Sequence, residues 1–67
     1  MNDFDLPRSV VENLIDEWIF DEKYRYILKR KLFDNISFES LSEEVNMSTR
    51  QVKNIVYQCK NILFEHL

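Results

Sequence analysis

Apolar residues recur at intervals of three and four along most of this chain, which is the spacing of one face of an amphipathic helix. This spacing predicts four helices. The first follows Asp5-Leu6-Pro7, and the second has Asp21 as its expected N-cap and extends to about Phe33. The third extends from about Phe38 to Val45, with Phe38, Leu41 and Val45 expected to face inward, and the fourth covers residues 48–66. Alternating apolar and polar residues, which mark half-buried strands, are missing. The chain is therefore expected to be all-α, a single four-helix domain over residues 1–67.

The segment 37–63 carries the local signals of two helices joined by a tight turn. Ser37 and Ser48 are favourable N-caps, and Gln51 follows Ser48 by three residues, which completes a capping box. Asn46 lies between two apolar residues, and asparagine tolerates the positive φ that a chain reversal needs. Two helices with such a turn are typical of the DNA-binding helix-turn-helix, whose second helix enters the major groove.

The predicted recognition helix, residues 48–66, has one apolar and one polar face at about 100° per residue. Its apolar face consists of Val52, Ile55, Val56, Cys59, Ile62 and Leu63. On the polar face, the Arg50 guanidinium can bind O6 and N7 of guanine, and the Asn54 amide can bind adenine. We predict DNA base contacts from Thr49, Arg50, Lys53 and Asn54. We predict contacts to the DNA backbone from Ser37, Ser48, Gln51, Tyr57, Gln58 and Lys60.

The chain has a formal net charge of −3, which is unusual for a nucleic-acid binder, but its charges are segregated. Residues 1–22 carry seven acids and one base, and residues 23–36 carry five bases and one acid. Residues 37–47 hold three glutamates, whereas residues 48–67 hold three bases and one acid. Segregation matters more than the total charge for a surface that meets DNA. Each block is equally compatible with an ordinary solvated helix face.

The composition disfavours several other classes of protein. Cys59 is the only cysteine, so an internal disulfide or a cysteine-based zinc site is excluded, and it is expected to be a core residue. His66 has no partner at metal-ligand spacing and is expected to favour the C-terminus of its helix electrostatically. No catalytic triad or phosphate-binding loop is present, so we predict no enzymatic activity, cofactor or metal. Without an apolar run long enough for a membrane or a visible signal peptide, a cytoplasmic protein is expected.

Three stretches of the chain carry a resemblance to a known family. They are Asp21-Glu22-Lys23-Tyr24-Arg25-Tyr26-Ile27-Leu28, Asp34-Asn35-Ile36-Ser37-Phe38-Glu39 and Leu41-Ser42-Glu43-Glu44-Val45-Asn46-Met47-Ser48. They resemble the opening helix, the first turn, and the next helix with its turn in the fourth conserved region of bacterial sigma factors, the domain that reads the upstream promoter element. Asn35 and Asn46 replace the glycines usual in the two turns, and Ser42 replaces the usual alanine.

The resemblance covers residues 21–67 and implies a helix-turn-helix domain like region four of sigma factors. Residues 1–20 are expected to form an acidic N-terminal helix in front of this unit. The resemblance assigns Thr49, Arg50, Lys53 and Asn54 to groove-contacting positions. A sequence-specific transcriptional regulator that binds double-stranded DNA is therefore predicted. A free-standing sigma-like regulator of a bacterium, phage or mobile element fits this length better than a complete sigma factor.

A second hypothesis keeps the same scaffold but assigns it to protein recognition. The acidic first helix and the negative net charge favour a module that binds RNA polymerase or another regulator. The two functions can coexist in one domain. A homodimer with an interface from Trp18 and the long fourth helix, or a monomer, is compatible with either.

Overall fold

The computed structural model describes residues 5–67, and these residues form four α-helices and no strand. The helices are α1 (Arg8–Trp18), α2 (Glu22–Lys29), α3 (Phe38–Val45) and α4 (Thr49–Glu65), and a π-helical turn (Arg30–Asp34) follows α2. The predicted all-α class is confirmed. Residues 1–4 of the predicted acidic N-terminal segment lie outside the described residues.

Polar side chains fix the starts of three helices, as their positions in the sequence predict. The Asp21 carboxylate accepts the backbone N–H groups of Lys23 and Tyr24 at 2.8 and 3.2 Å. The Ser37 hydroxyl accepts the N–H of Ser40 at 3.1 Å. At the start of α4 the predicted capping box is present, because Ser48 accepts from the N–H of Gln51 while the Gln51 amide oxygen accepts from the N–H of Ser48.

The second helix differs from the predicted uniform helix that ends near Phe33. Regular α-helix ends at Lys29 and a wider π-helical turn carries the chain to Asp34. Asn35 then adopts a left-handed conformation with φ 52°, which a short polar side chain tolerates. Such π turns are rare within helices. Here Arg30, the first residue of the turn, forms ion pairs with Asp34 and with Glu44 of α3.

All four helices contribute to one apolar core, which makes Cys59 a buried residue as predicted. Its fully buried members include Ile15 of α1, Leu28 of α2, Leu41 of α3 and Leu63 of α4, and each such side chain contributes about 1.5–3 kcal/mol on burial. Ile62 departs from the predicted apolar face of α4, since 38% of its surface is exposed. The core is thus built from the expected helical stripes, with the C-terminal part of α4 only partly covered.

Candidate nucleic-acid interface

The turn between α3 and α4 has the geometry that Asn46 predicts. Asn46 is left-handed, with φ 56° and ψ 47°, and its N–H donates to the carbonyl of Glu43 at 3.4 Å. The N–H of Met47 donates to the carbonyl of Ser42 at 3.0 Å, so the last carbonyls of α3 are satisfied as in a helix C-cap. Ser42 itself is buried, and its hydroxyl donates to the carbonyl of Glu39 at 2.7 Å.

Three of the four predicted base-contacting residues lie together on the exposed side of α4. Arg50, Lys53 and Asn54 are all exposed. Within residues 5–67 the side chains of Arg50 and Asn54 form no ion pair or hydrogen bond. Thr49 is different, because it is half-buried and its hydroxyl donates to the Ser42 hydroxyl at 3.5 Å. The Thr49 hydroxyl therefore faces α3, and its role as a base contact stays a prediction.

The six residues predicted to contact the DNA backbone fall into two groups. The side chains of Ser37, Ser48 and Gln51 already form helix caps. Tyr57 and Gln58 are exposed along α4, and Lys60 is half-buried. Arg50, Lys53, Asn54 and Tyr57 are thus an exposed polar surface of α4, called here the α4 polar face.

An aromatic ring connects this face to the turn that follows α2. Phe38, the first residue of α3, contacts the Tyr57 ring edge-on with centroids 6.3 Å apart. The Lys53 ammonium lies 5.6 Å from the Phe38 centroid and the Lys31 ammonium 4.4 Å from it, which is within the range of cation–π attraction. Lys31 also donates to the carbonyl of Ile36 at 3.0 Å. Lys31, Phe38, Lys53 and Tyr57, the Phe38 cluster, place two positive charges on one surface.

Neither Lys31 nor Phe38 was among the residues predicted from the sequence to contact DNA. Phe38 was expected to point inward, yet it is only half-buried. The cluster joins three separate elements, so no local spacing in the sequence relates Lys31 to Lys53. The only local signal was the i, i+4 spacing of Lys53 and Tyr57, which puts these two side chains next to each other on a helix.

Two of the three basic side chains of α2, Arg25 and Lys29, form hydrogen bonds or ion pairs with α1 and the residue that follows it. Lys29 forms an ion pair with Asp16 of α1 at 2.8 Å, and this hydrogen bond holds the pKa of Asp16 below its ordinary value. Arg25 donates to the backbone carbonyls of Asp16 and Ile19. Asp16 of α1 thus contacts two basic residues of α2, through its carboxylate and through its backbone carbonyl.

The third helix presents negative charge rather than positive charge. Glu44 is bound to Arg30, but Glu39 and Glu43 are exposed and have no ion pair in the described part of the chain. In a helix-turn-helix the first helix crosses the DNA backbone, where carboxylates repel phosphates. These two residues make the exposed side of α3 less suited to contact with phosphates than the α4 polar face is.

A second surface feature lies at the opposite end of α4. An open apolar groove of about 450 Å³ is lined by Trp18, Ile19, Phe20, Asp21, Tyr24, Cys59, Ile62 and His66. The rings of Trp18 and His66 stack with centroids 3.6 Å apart and planes 3° from parallel. His66 is the C-cap residue of α4, and its ring contacts Trp18 at the end of α1. Its predicted electrostatic effect on the helix stays a prediction. We call this feature the Trp18 groove.

No protein-family model, curated protein or solved structure matches this chain. Among residues 5–67 no group of three or more histidine, cysteine, aspartate or glutamate side chains is arranged to hold a metal ion. Likewise, none of the helices in this part of the chain combines the length and apolar character required to cross a membrane. The residues themselves, therefore, are the basis for proposing a function.

Proposed function

We propose that this chain is a sequence-specific DNA-binding transcriptional regulator with a helix-turn-helix like region four of sigma factors. The observation that carries the proposal is the left-handed Asn46 turn followed by Arg50 and Asn54 on the first turns of α4. Their side chains are exposed and form no ion pair or hydrogen bond within residues 5–67. A recognition helix meets base edges with its N-terminal residues. The first half of α4 is the part that enters the major groove.

The proposed roles follow from the chemistry of each side chain. Arg50 donates two hydrogen bonds to guanine, and Asn54 pairs with adenine. Because they are four residues apart on one helix face, they read neighbouring base pairs. Lys31 and Tyr57 contact phosphates and set the position of the helix in the groove without reading sequence. Lys53, predicted from the sequence to contact bases, is assigned to a phosphate instead, because its ammonium lies over the Phe38 ring on which Lys31 also lies. The ring of Phe38 holds both lysines on the side of Tyr57.

A selection from random-sequence duplexes tests the proposal. At low salt we expect enrichment of one sequence, bound with a submicromolar Kd and more weakly as salt rises, because bound phosphates release counterions. A scrambled duplex of the same composition is the control and should bind at least about 1,000-fold more weakly. Failure of any sequence to be enriched would overturn the proposal.

A second candidate function is a protein-interaction module that binds RNA polymerase or another regulator. The observation in its favour is the pair of exposed, unpaired carboxylates Glu39 and Glu43 on α3, which suit a basic protein surface better than a phosphate backbone. Titration of labelled protein with bacterial RNA polymerase core in the absence of DNA tests it. Binding that the double variant Glu39→Lys/Glu43→Lys abolishes supports this function. If the unsubstituted protein does not bind the polymerase, this function is contradicted.

A further inference from the structure

The Trp18 groove leaves aromatic and aliphatic side chains exposed to solvent. Phe20 is 78% exposed and Ile62 is 38% exposed, although both line the groove beside the half-buried Trp18. Apolar patches rimmed by polar residues mark sites of protein interaction. The volume of about 450 Å³ lies in the range of ligand-binding clefts in proteins.

Charge around the groove restricts what can cover it. Asp21 lines the groove, and the exposed residues Glu17, Glu22 and Glu65 directly adjoin lining residues in the chain. Only Lys23 and Lys60 oppose these four carboxylates in the same segments. The chain segments that line the groove are therefore net acidic, and these segments are called its acidic rim. A basic partner complements this charge.

The same acidic rim disfavours a second copy of this chain as the occupant. In a two-fold symmetric dimer the same surface patch faces itself. The net acidic segments of the two copies would then face each other, and juxtaposed like charges are costly at an interface. The apolar contact of two Phe20 rings would have to overcome this repulsion.

We infer that the Trp18 groove binds an amphipathic helix of a partner protein, with apolar anchors in the groove and lysine or arginine residues at its flanks. Helices bind in such grooves through apolar side chains at positions i, i+4 and i+7. Phe20 and Ile62 provide the contacts for these anchors, and Trp18, stacked on His66, forms the adjoining wall. Glu17 and Glu22 bind the flanking basic residues.

The groove and the proposed DNA-binding face are separate parts of α4. Arg50 and Ile62 are about 18 Å apart along the helix axis at 1.5 Å per residue. The groove also uses residues before α2, namely Trp18 and Phe20, which belong to no part of the α4 polar face. DNA and the partner helix can therefore be bound together, and this inference does not rest on the proposed DNA binding.

Trp18 is the only tryptophan in the chain, so its fluorescence reports directly on the groove. The probes are two synthetic helical peptides of about 15 residues with leucines at i, i+4 and i+7. One peptide carries lysines at its flanking positions and the other carries glutamates at the same positions. We expect the lysine peptide to change the Trp18 emission and to bind at least about tenfold more tightly than the glutamate peptide, with an affinity that falls as salt rises.

Two substitutions test whether peptide binding depends on the groove itself. Phe20→Ala should weaken binding of the lysine peptide about tenfold. Because Phe20 is largely exposed, the urea unfolding curve of this variant should match that of the unsubstituted protein. Phe64→Ala is the control, since Phe64 is also partly exposed on α4 but does not line the groove. Duplex binding should be unchanged by Phe20→Ala, whereas Arg50→Ala should leave peptide binding unchanged.

Three results would overturn the inference. They are the absence of binding by either peptide, equal binding of both peptides, and a dimer in sedimentation equilibrium that Phe20→Ala dissociates. The last result would assign the groove to a second copy of the chain. Failure of the peptide experiment with intact duplex binding would reject this inference alone.

Discussion

Arg30 and Glu44 form a two-point ion pair that joins the π-helical turn to α3. Nη2 of Arg30 lies 2.6 Å from Oε2 of Glu44, and Nε lies 3.1 Å from Oε1. The hydroxyl of Tyr26 donates to the same carboxylate at 2.6 Å. The hydrogen bond from Arg30, and to a smaller extent the one from Tyr26, holds the pKa of Glu44 below its ordinary value of 4.5. The orientation of α3, and so of the turn into α4, depends in part on this carboxylate.

The Glu44→Gln substitution should make the protein less stable at neutral pH and should change how stability depends on acid. A carboxyl group whose pKa is lowered by folding stabilises the folded state above its unfolded pKa, and this contribution is lost as pH falls through the folded pKa. Thermal melts from neutral pH to well below 4.5 should therefore show a difference in melting temperature between the Glu44→Gln and unsubstituted proteins that shrinks as pH falls.

Glu43→Gln is the matched control, because Glu43 has no ion pair in the described residues. A Glu43→Gln effect as large as that of Glu44→Gln would contradict the assignment.

The left-handed conformation of Asn46 gives a second prediction. A residue with a Cβ that is held at φ 56° carries a steric cost of about 1–2 kcal/mol, which asparagine partly avoids and glycine lacks. Asn46→Ala should lower the free energy of unfolding by about 1 kcal/mol, and Asn46→Gly should stay close to the unsubstituted protein. Urea denaturation measures both. If alanine and glycine destabilise the protein equally, the Asn46 amide, rather than its backbone conformation, stabilises the turn.

DNA binding should respond differently to Arg50 and to the lysines of the Phe38 cluster. On the duplex obtained by selection, Arg50→Ala should cost about 1–3 kcal/mol and relax the preference for guanine at one position. Lys53→Ala and Lys31→Ala should weaken binding to all sequences alike and reduce the salt slope by about 1 each. Fluorescence anisotropy at several salt concentrations distinguishes these patterns. The control is Lys23→Ala, an exposed lysine of α2 outside this surface, and an equal loss in that variant would show only a general effect of charge.

Features that depend on neighbours in the chain could be predicted from the sequence. The caps at Asp21, Ser37 and Ser48 are contacts over two or three residues, so residue type and spacing are sufficient to place them. The exposure of Arg50 and Asn54 follows from the helical period alone. The left-handed turn at Asn46 follows from the preference of a short polar side chain.

Features that depend on distant residues could not be predicted. The Arg30–Glu44 pair and the stacking of Trp18 on His66 join residues far apart in the chain, and the π-helical turn that begins at Arg30 was expected to be regular helix. Likewise, the Phe38 ring is used by lysines from two other elements. Periodicity shows that a side chain faces inward or outward, but only the packing of helices decides which side chains meet there.

The thiol of Cys59 gives a prediction about the rigidity of the groove. Cys59 lines the groove but is only 2% exposed, and burial, with a smaller effect from the Asp21 carboxylate, raises the pKa of its thiol to about 11. Only the thiolate reacts with a disulfide reagent, so at about pH 8 the folded protein should react at least about 100-fold more slowly than the protein in urea. Absorbance after mixing with an aromatic disulfide reagent measures the rate.

The Cys59→Ala/Asn61→Cys protein is the control, since position 61 is exposed on the same helix and should react as fast in the folded as in the unfolded state. Equal rates for Cys59 and this control would mean that the groove opens readily and that α4 is not held against α1 and α2 at its C-terminal end.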